Sequence, residues 1–157
     1  MMLNNLDKND LLSILDNLLK EMEQPFFIVD SIFRIKYFNH AFSKFVAKEP
    51  NRILDVDFGE ALGCGNMIKD HKNCAFTSFC GHCEIRKNLH QVFNKQKDKV
   101  QFELVREFVI NGEILTRHVQ MSLLHLVIEQ NRQVICLISD KGDKDLIQLL
   151  TQPQSVI

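Results

Sequence analysis

Four of the five cysteines stand at positions 64, 74, 80 and 83, in a stretch that reads CGNMIKDHKNCAFTSFCGHC. Thiolates are ligands for zinc and for iron–sulfur clusters. Cys80-x-x-Cys83 is the sharpest element, because that separation lets two thiolates converge on one metal, with Gly81 relieving crowding in the turn. Cys64 and Cys74 lie on a segment with little core of its own, which can fold back to complete four ligands. A bound metal would supply the ordering energy such a segment lacks. The first reading is therefore a site on Cys64, Cys74, Cys80 and Cys83 that holds a metal or cluster. Four thiolates in tetrahedral array suit an iron–sulfur cluster, taken as the cofactor, or zinc as the alternative. The spacing of nine, five and two intervening residues matches neither the common zinc-finger nor the common ferredoxin patterns. Reversible disulfides, Cys80 with Cys83 foremost, form the second reading. Unconnected buried cysteines form the third, and Cys136 in the strand-like VICLIS is of that kind.

Other side chains bear on this site. His71 lies inside the segment and is the better spare ligand or outer partner, although a surface role is the plainer reading. His82 sits within the CxxC and points away from any metal held by both its neighbours. Arg86 and Lys87 follow the cysteines and can offset thiolate charge, or simply form the polar face of a helix. His90 is the candidate, by position, for a haem ligand, but the phenylalanine-rich interior looks able to fill itself. His118 and His125 are seven apart on one strand and so face opposite sides of a sheet. No phosphate loop, HExxH or nucleophile elbow is present, and the expectation is a protein without enzymatic activity.

Composition sets the frame. The chain has 157 residues, 45% apolar and 25% charged, with a net charge of -1; the length suits one domain. A balanced charge gives no basis for nucleic acid or an anionic membrane as partner. The start, MMLNNLDKND, lacks a signal-peptide core, and no apolar run approaches a membrane span. The expected location is the cytoplasm, where structural disulfides are uncommon.

The elements that must position the cysteines follow from periodicity. Residues 6–23 carry apolar positions 11, 12, 15, 18, 19 and 22 at helical spacing, with Asp10 as a cap. That stripe must be buried on its own domain or on the same helix of a second chain. FFIVD (26–30) and RIKYFN (34–39) read as a strand hairpin, and HAFSKFVA (40–47) as a short helix capped by Asn39. Segment 48–76 shows no firm periodicity and reads as loop or broken helix. A helix follows from Thr77, with Ile85, Leu89 and Phe93 four apart. Three strands then occupy 99–110, 113–129 and 132–140, turning at Asn111-Gly112 and at Gln130-Asn131. The tail from 141 adds at most a short helix. Strands joined by short turns pair antiparallel. The fold class is thus α+β: a five-stranded antiparallel sheet with helices on one face and an N-terminal amphipathic helix.

This order of elements resembles a PAS domain over roughly residues 12 to 140. FFIVDSIFRIKYFN followed by HAF is similar to the family's opening, with Asn39 at its Asn, and LTRHVQMSLLHLVIEQNRQVICLISD to its closing hairpin. The resemblance implies three parts: a dimerisation helix at 1–24, a sensor domain at 25–140 with the cysteine-rich segment at 59–84, and a tail at 141–157. It also implies a sensory module that forms a homodimer and acts on a signalling partner such as a kinase or regulator. The GEALGC…C…CxxC insert resembles a cysteine-bearing bacterial subgroup of the family. Some PAS sensors of oxygen hold an iron–sulfur cluster on four cysteines arranged as two CxxC pairs; this chain has one such pair. The length leaves no room for an output domain, so a free-standing sensor acting on a partner, or a fragment, is expected.

Overall fold

The computed structural model describes residues 7–70, 72, 74 and 80–141. Helix α1 spans Lys8–Glu21. Its cap is Asp7 rather than Asp10: the Asp7 carboxylate accepts from the Asp10 N–H at 2.7 Å. Asp10 sits in the first turn, where its charge complements the helix dipole. Strands β1 (Phe26–Val29) and β2 (Ile35–Phe38) form the first hairpin. Its turn is tied by Asp30, whose carboxylate accepts from the N–H groups of Ile32 and Arg34, an Asx-turn.

Helix α2 covers His40–Val46, and Asn39 is buried at its head. The Asn39 Oδ1 accepts from Phe42 N–H at 3.0 Å and from Phe26 N–H at 3.1 Å, while Nδ2 donates to the Gln24 carbonyl at 2.8 Å. One side chain thereby caps α2 and fixes the entry of β1.

The segment read as loop or broken helix contains a 3₁₀ turn at Pro50–Arg52, then α3 (Phe58–Leu62) and α4 (Gly65–Asp70). Neither helix is long enough to show periodicity, but α3 is marked by its ends. Asp57 accepts from the Gly59 N–H, Glu60 lies three residues after the cap, and Gly63 closes the helix with φ 79°. After a 3₁₀ turn at Cys80–His82, α5 runs from Glu84 to Phe93. It begins later than the expected Thr77, which lies outside the described residues, as does the tail from 142. Its buried stripe is Ile85, Leu89 and Val92, with Phe93 half-buried beside it.

Strands β3 (Lys99–Ile110), β4 (Glu113–Ile128) and β5 (Asn131–Asp140) complete an antiparallel sheet of order β2-β1-β5-β4-β3. Asn111 and Gly112 both take positive φ, 52° and 77°, as a tight hairpin turn requires. The second turn falls at Glu129-Gln130, one residue earlier than expected, with φ 49° and 69°. Asn131 already pairs with Ile128, and this register sets Cys136 beside Leu123 and Ile138 beside Met121. All four are buried, so matching of core residues overrides the local preference of Asn for the turn. The core lies between the inner sheet face and α2, α3 and α5, filled by Phe27, Phe42, Phe58, Leu89, Met121 and Leu123. His118 and His125 fall on opposite faces of β4, as the alternation of its buried positions indicates.

Candidate functional site

Cys64, Cys74 and Cys83 reach one hollow by different routes. Cys64 follows the end of α3 and is bridged to Phe108 on β3. The Gly63 carbonyl accepts from the Val109 N–H at 2.7 Å. Glycine is required here twice over: its φ is 79°, and a Cβ would collide with the Val109 carbonyl oxygen. Cys74 packs over Gly59 of α3, where a Cβ would stand 2.9 Å from the Cys74 Cβ. Cys83 caps α5 in position, without a side-chain capping bond, and is buried.

Together Cys64, Cys74 and Cys83 line one apolar hollow, walled by Phe58, Leu62, Ile85 and Phe108. The hollow has room of only about 10 Å³, about one water molecule. Cys80 lies in the 3₁₀ turn beside Cys83, but its side chain falls outside the described residues, as does His71. Among the described residues, a Cβ at Gly81 would meet open space. Cys64, Cys74 and Cys83 carry free thiols, as does Cys136. Cys136 sits on the inner face of β5 between Phe27 and Leu123, and burial holds its thiol well above the ordinary value.

Two arginines serve the thiols. Arg86 Nη2 donates to Cys74 Sγ at 2.7 Å and lies 3.6 Å from the Asp57 carboxylate. Its guanidinium is stacked over Phe58 at 5.0 Å and Phe33 at 5.7 Å, which holds the fork in place. Arg106 Nη1, from β3, donates to Cys83 Sγ at 3.3 Å. Burial above all, and next the Asp57 carboxylate, push the Cys74 thiol up to about 12, against the opposing pull of Arg86. Cys74 is therefore protonated at neutral pH, between Asp57 and Arg86, and metal ligation has to displace that proton.

The sequence set Arg86 near the cysteines, and its guanidinium does reach Cys74 Sγ. The sequence reading missed Arg106, which lies 23 residues from Cys83 and which only the approach of β3 brings near. Lys87 is exposed, as are His82 and His90. His90 packs edge-on against Phe33, with centroids 4.7 Å apart, at the surface rather than in a haem cavity. His118 is buried and bonded through Nε2 to Glu103 at 2.9 Å.

The donor types suit a thiolate-bound metal. Three thiols share one hollow, and Arg86 and Arg106 each donate to one of the sulfurs. Volume is the opposing observation, since a cluster needs the hollow to widen around it while a single ion needs far less. Among the described residues no three Cys, His, Asp or Glu side chains converge closely enough to hold an ion as they stand.

Comparison with known proteins bears on the fold. No family model matches the sequence, and no curated protein does. Solved structures do match. A PAS domain from a two-component sensor histidine kinase is 12% identical, with 86% of this chain and all of that one covered at a TM-score of 0.58. The PAS domain of BvgS from Bordetella pertussis is 18% identical, over 90% and 95% of the two chains, at a TM-score of 0.57. An RNA-binding Light-Oxygen-Voltage receptor is 11% identical, over 94% of this chain and 38% of that one, at 0.61. The chain has the PAS-domain fold. At these identities the likeness is one of architecture. Among the described residues no helix is long and apolar enough to cross a membrane.

Proposed function

We propose that this protein is a non-catalytic, cytoplasmic signal-sensing module that responds to redox state or oxygen through Cys64, Cys74, Cys80 and Cys83. The observation that carries the reading is the gathering of Cys64, Cys74 and Cys83 around one apolar hollow, with Arg86 and Arg106 donating to two of their sulfurs. An iron–sulfur cluster on the four thiolates would supply one-electron and oxygen-sensitive chemistry. Zinc on the same ligands is the second reading, and the small size of the hollow favours it.

Either way the chain's own residues turn ligation into a signal. Cys64 is pinned to β3 through its bridge to Phe108, and Cys83 sits at the head of α5, which packs on β3, β4 and β5. Tying these cysteines together ties two elements that touch the sheet. Loss of ligation frees the residues between them, and the packing of α5 on the sheet loosens. A homodimer through α1, and a partner kinase or regulator, would receive that change.

Amide hydrogen exchange on protein kept free of oxygen and on protein exposed to air tests this. The reading expects faster exchange after exposure at Gly65–Met67 and in the first turn of α5, with β5 unchanged. Identical protection in both samples would count against sensing at this site.

A further inference from the structure

A second cleft lies on the other side of Cys64, at the end of the domain where the β3–β4 hairpin tip meets the loop after α2. It has a volume of about 240 Å³ and is lined by Val46, Lys48, Arg52, Cys64, Met67 and Val109, among others. It is not the interior between sheet and helices, which side chains fill. Lys48 is half-buried, and its ammonium is turned to the Glu60 backbone carbonyl. Three N–H donors on a lysine leave two unspent by that bond. Arg52 makes no ion pair among the described residues. The one carboxylate of the lining is that of Glu60 at the rim, so two cations face one anion there. Burial, and next the charge of Arg52, hold the Lys48 amine below its usual value. Two cations are thus crowded together without a full complement of negative charge.

The apolar side of the cleft narrows the chemistry. Met67 and Val109, both half-buried, offer hydrocarbon contact, which an inorganic anion cannot use. The planar fork of arginine matches a carboxylate. The volume falls just below the ~300 Å³ at which pockets begin to enclose drug-sized ligands. We propose that this cleft binds a small organic carboxylate, with its carboxylate between Arg52 and Lys48 and its hydrocarbon body against Met67 and Val109. The occupant would lie against Cys64, which lines both the cleft and the thiol hollow. The inference does not depend on the metal reading, because none of the anion's partners is a cysteine.

Titration of the isotope-labelled full chain with butanoate, butanamide and inorganic phosphate, followed at the amides of Gly63, Asn111 and Gly112, tests it. Butanoate is expected to shift these amides saturably, with an affinity on the order of millimolar for so small a ligand. Butanamide and phosphate should be far weaker. Arg52→Gln should weaken butanoate by about tenfold, the loss of one charge-assisted hydrogen bond, with the melting temperature unchanged because Arg52 is exposed. Butanamide equal to butanoate, phosphate stronger than butanoate, an unchanged Arg52→Gln affinity, or no saturable shift with butanoate would each overturn the proposal.

Discussion

Gly59 lies so close beneath Cys74 that an added methyl would press on both the Cβ and the sulfur of that cysteine. In an exposed helix, Gly→Ala stabilises by ~0.5–1 kcal/mol. At this position the sign should reverse. Cys74 cannot retreat freely from Gly59, because its sulfur is held by Arg86. Overpacking of this kind costs ~1–3 kcal/mol, and Gly59→Ala is predicted to lower the thermal midpoint; a raised midpoint would show that Cys74 is loosely placed. Asn39 makes a second residue-scale case. Asn39→Ala removes a helix cap and strands the buried Phe26 N–H, besides releasing the carbonyl of the exposed Gln24. Loss of a cap costs ~1 kcal/mol, and an unsatisfied buried group ~1–3 more. Urea denaturation should report a loss of about 2–4 kcal/mol on those grounds, and a loss under about half a kilocalorie would contradict the double role.

At the scale of elements, α1 stands apart. None of its residues is buried, and Leu12, Leu15 and Leu18 are each more than half exposed. Among the described residues the stripe is not buried on its own domain, although Leu11 and Leu19 are half-buried. Exposed apolar stripes of this size mark contact surfaces, and the stripe of α1 fits pairing with a second copy through Leu11, Leu15, Leu18 and Leu19. Light scattering on the full chain and on a chain lacking residues 1–23 should give a dimer and a monomer respectively. A monomeric full chain at tens of micromolar would defeat the pairing.

The elements also show which signals are local. The strands, the Asn111-Gly112 turn and the Asn39 cap were legible because alternation, turn chemistry and capping lie within a few residues. The short helices between 58 and 70 escaped, since periodicity needs more than one or two turns, although Asp57, Glu60 and Gly63 mark the ends of α3. The placement of the second β-turn was decided by core register, not by its own residues. The gathering of the cysteines was inferred from their crowding in sequence; Cys64, Cys74 and Cys83 line one hollow, without converging closely enough to hold an ion. Arg106 gave no sign, because no spacing rule connects a mid-strand arginine with a cysteine of the preceding helix.

For the whole molecule, we propose that the PAS-fold sheet carries a thiolate-bound metal where α3, α5 and β3 meet, its ligation tying Cys64 to Cys83. Arg86 and Arg106, which donate to Cys74 and Cys83 Sγ, would balance thiolate charge at such a site. The most direct measurement is metal content. The intact protein, purified without oxygen, should carry iron with acid-labile sulfide and visible absorption, or zinc without colour, at one site per chain. Changing Cys64, Cys74, Cys80 and Cys83 together to serine should abolish the metal and lower the thermal midpoint. Wild-type protein without iron or zinc, together with a quadruple serine variant that unfolds at the same temperature, would contradict the account.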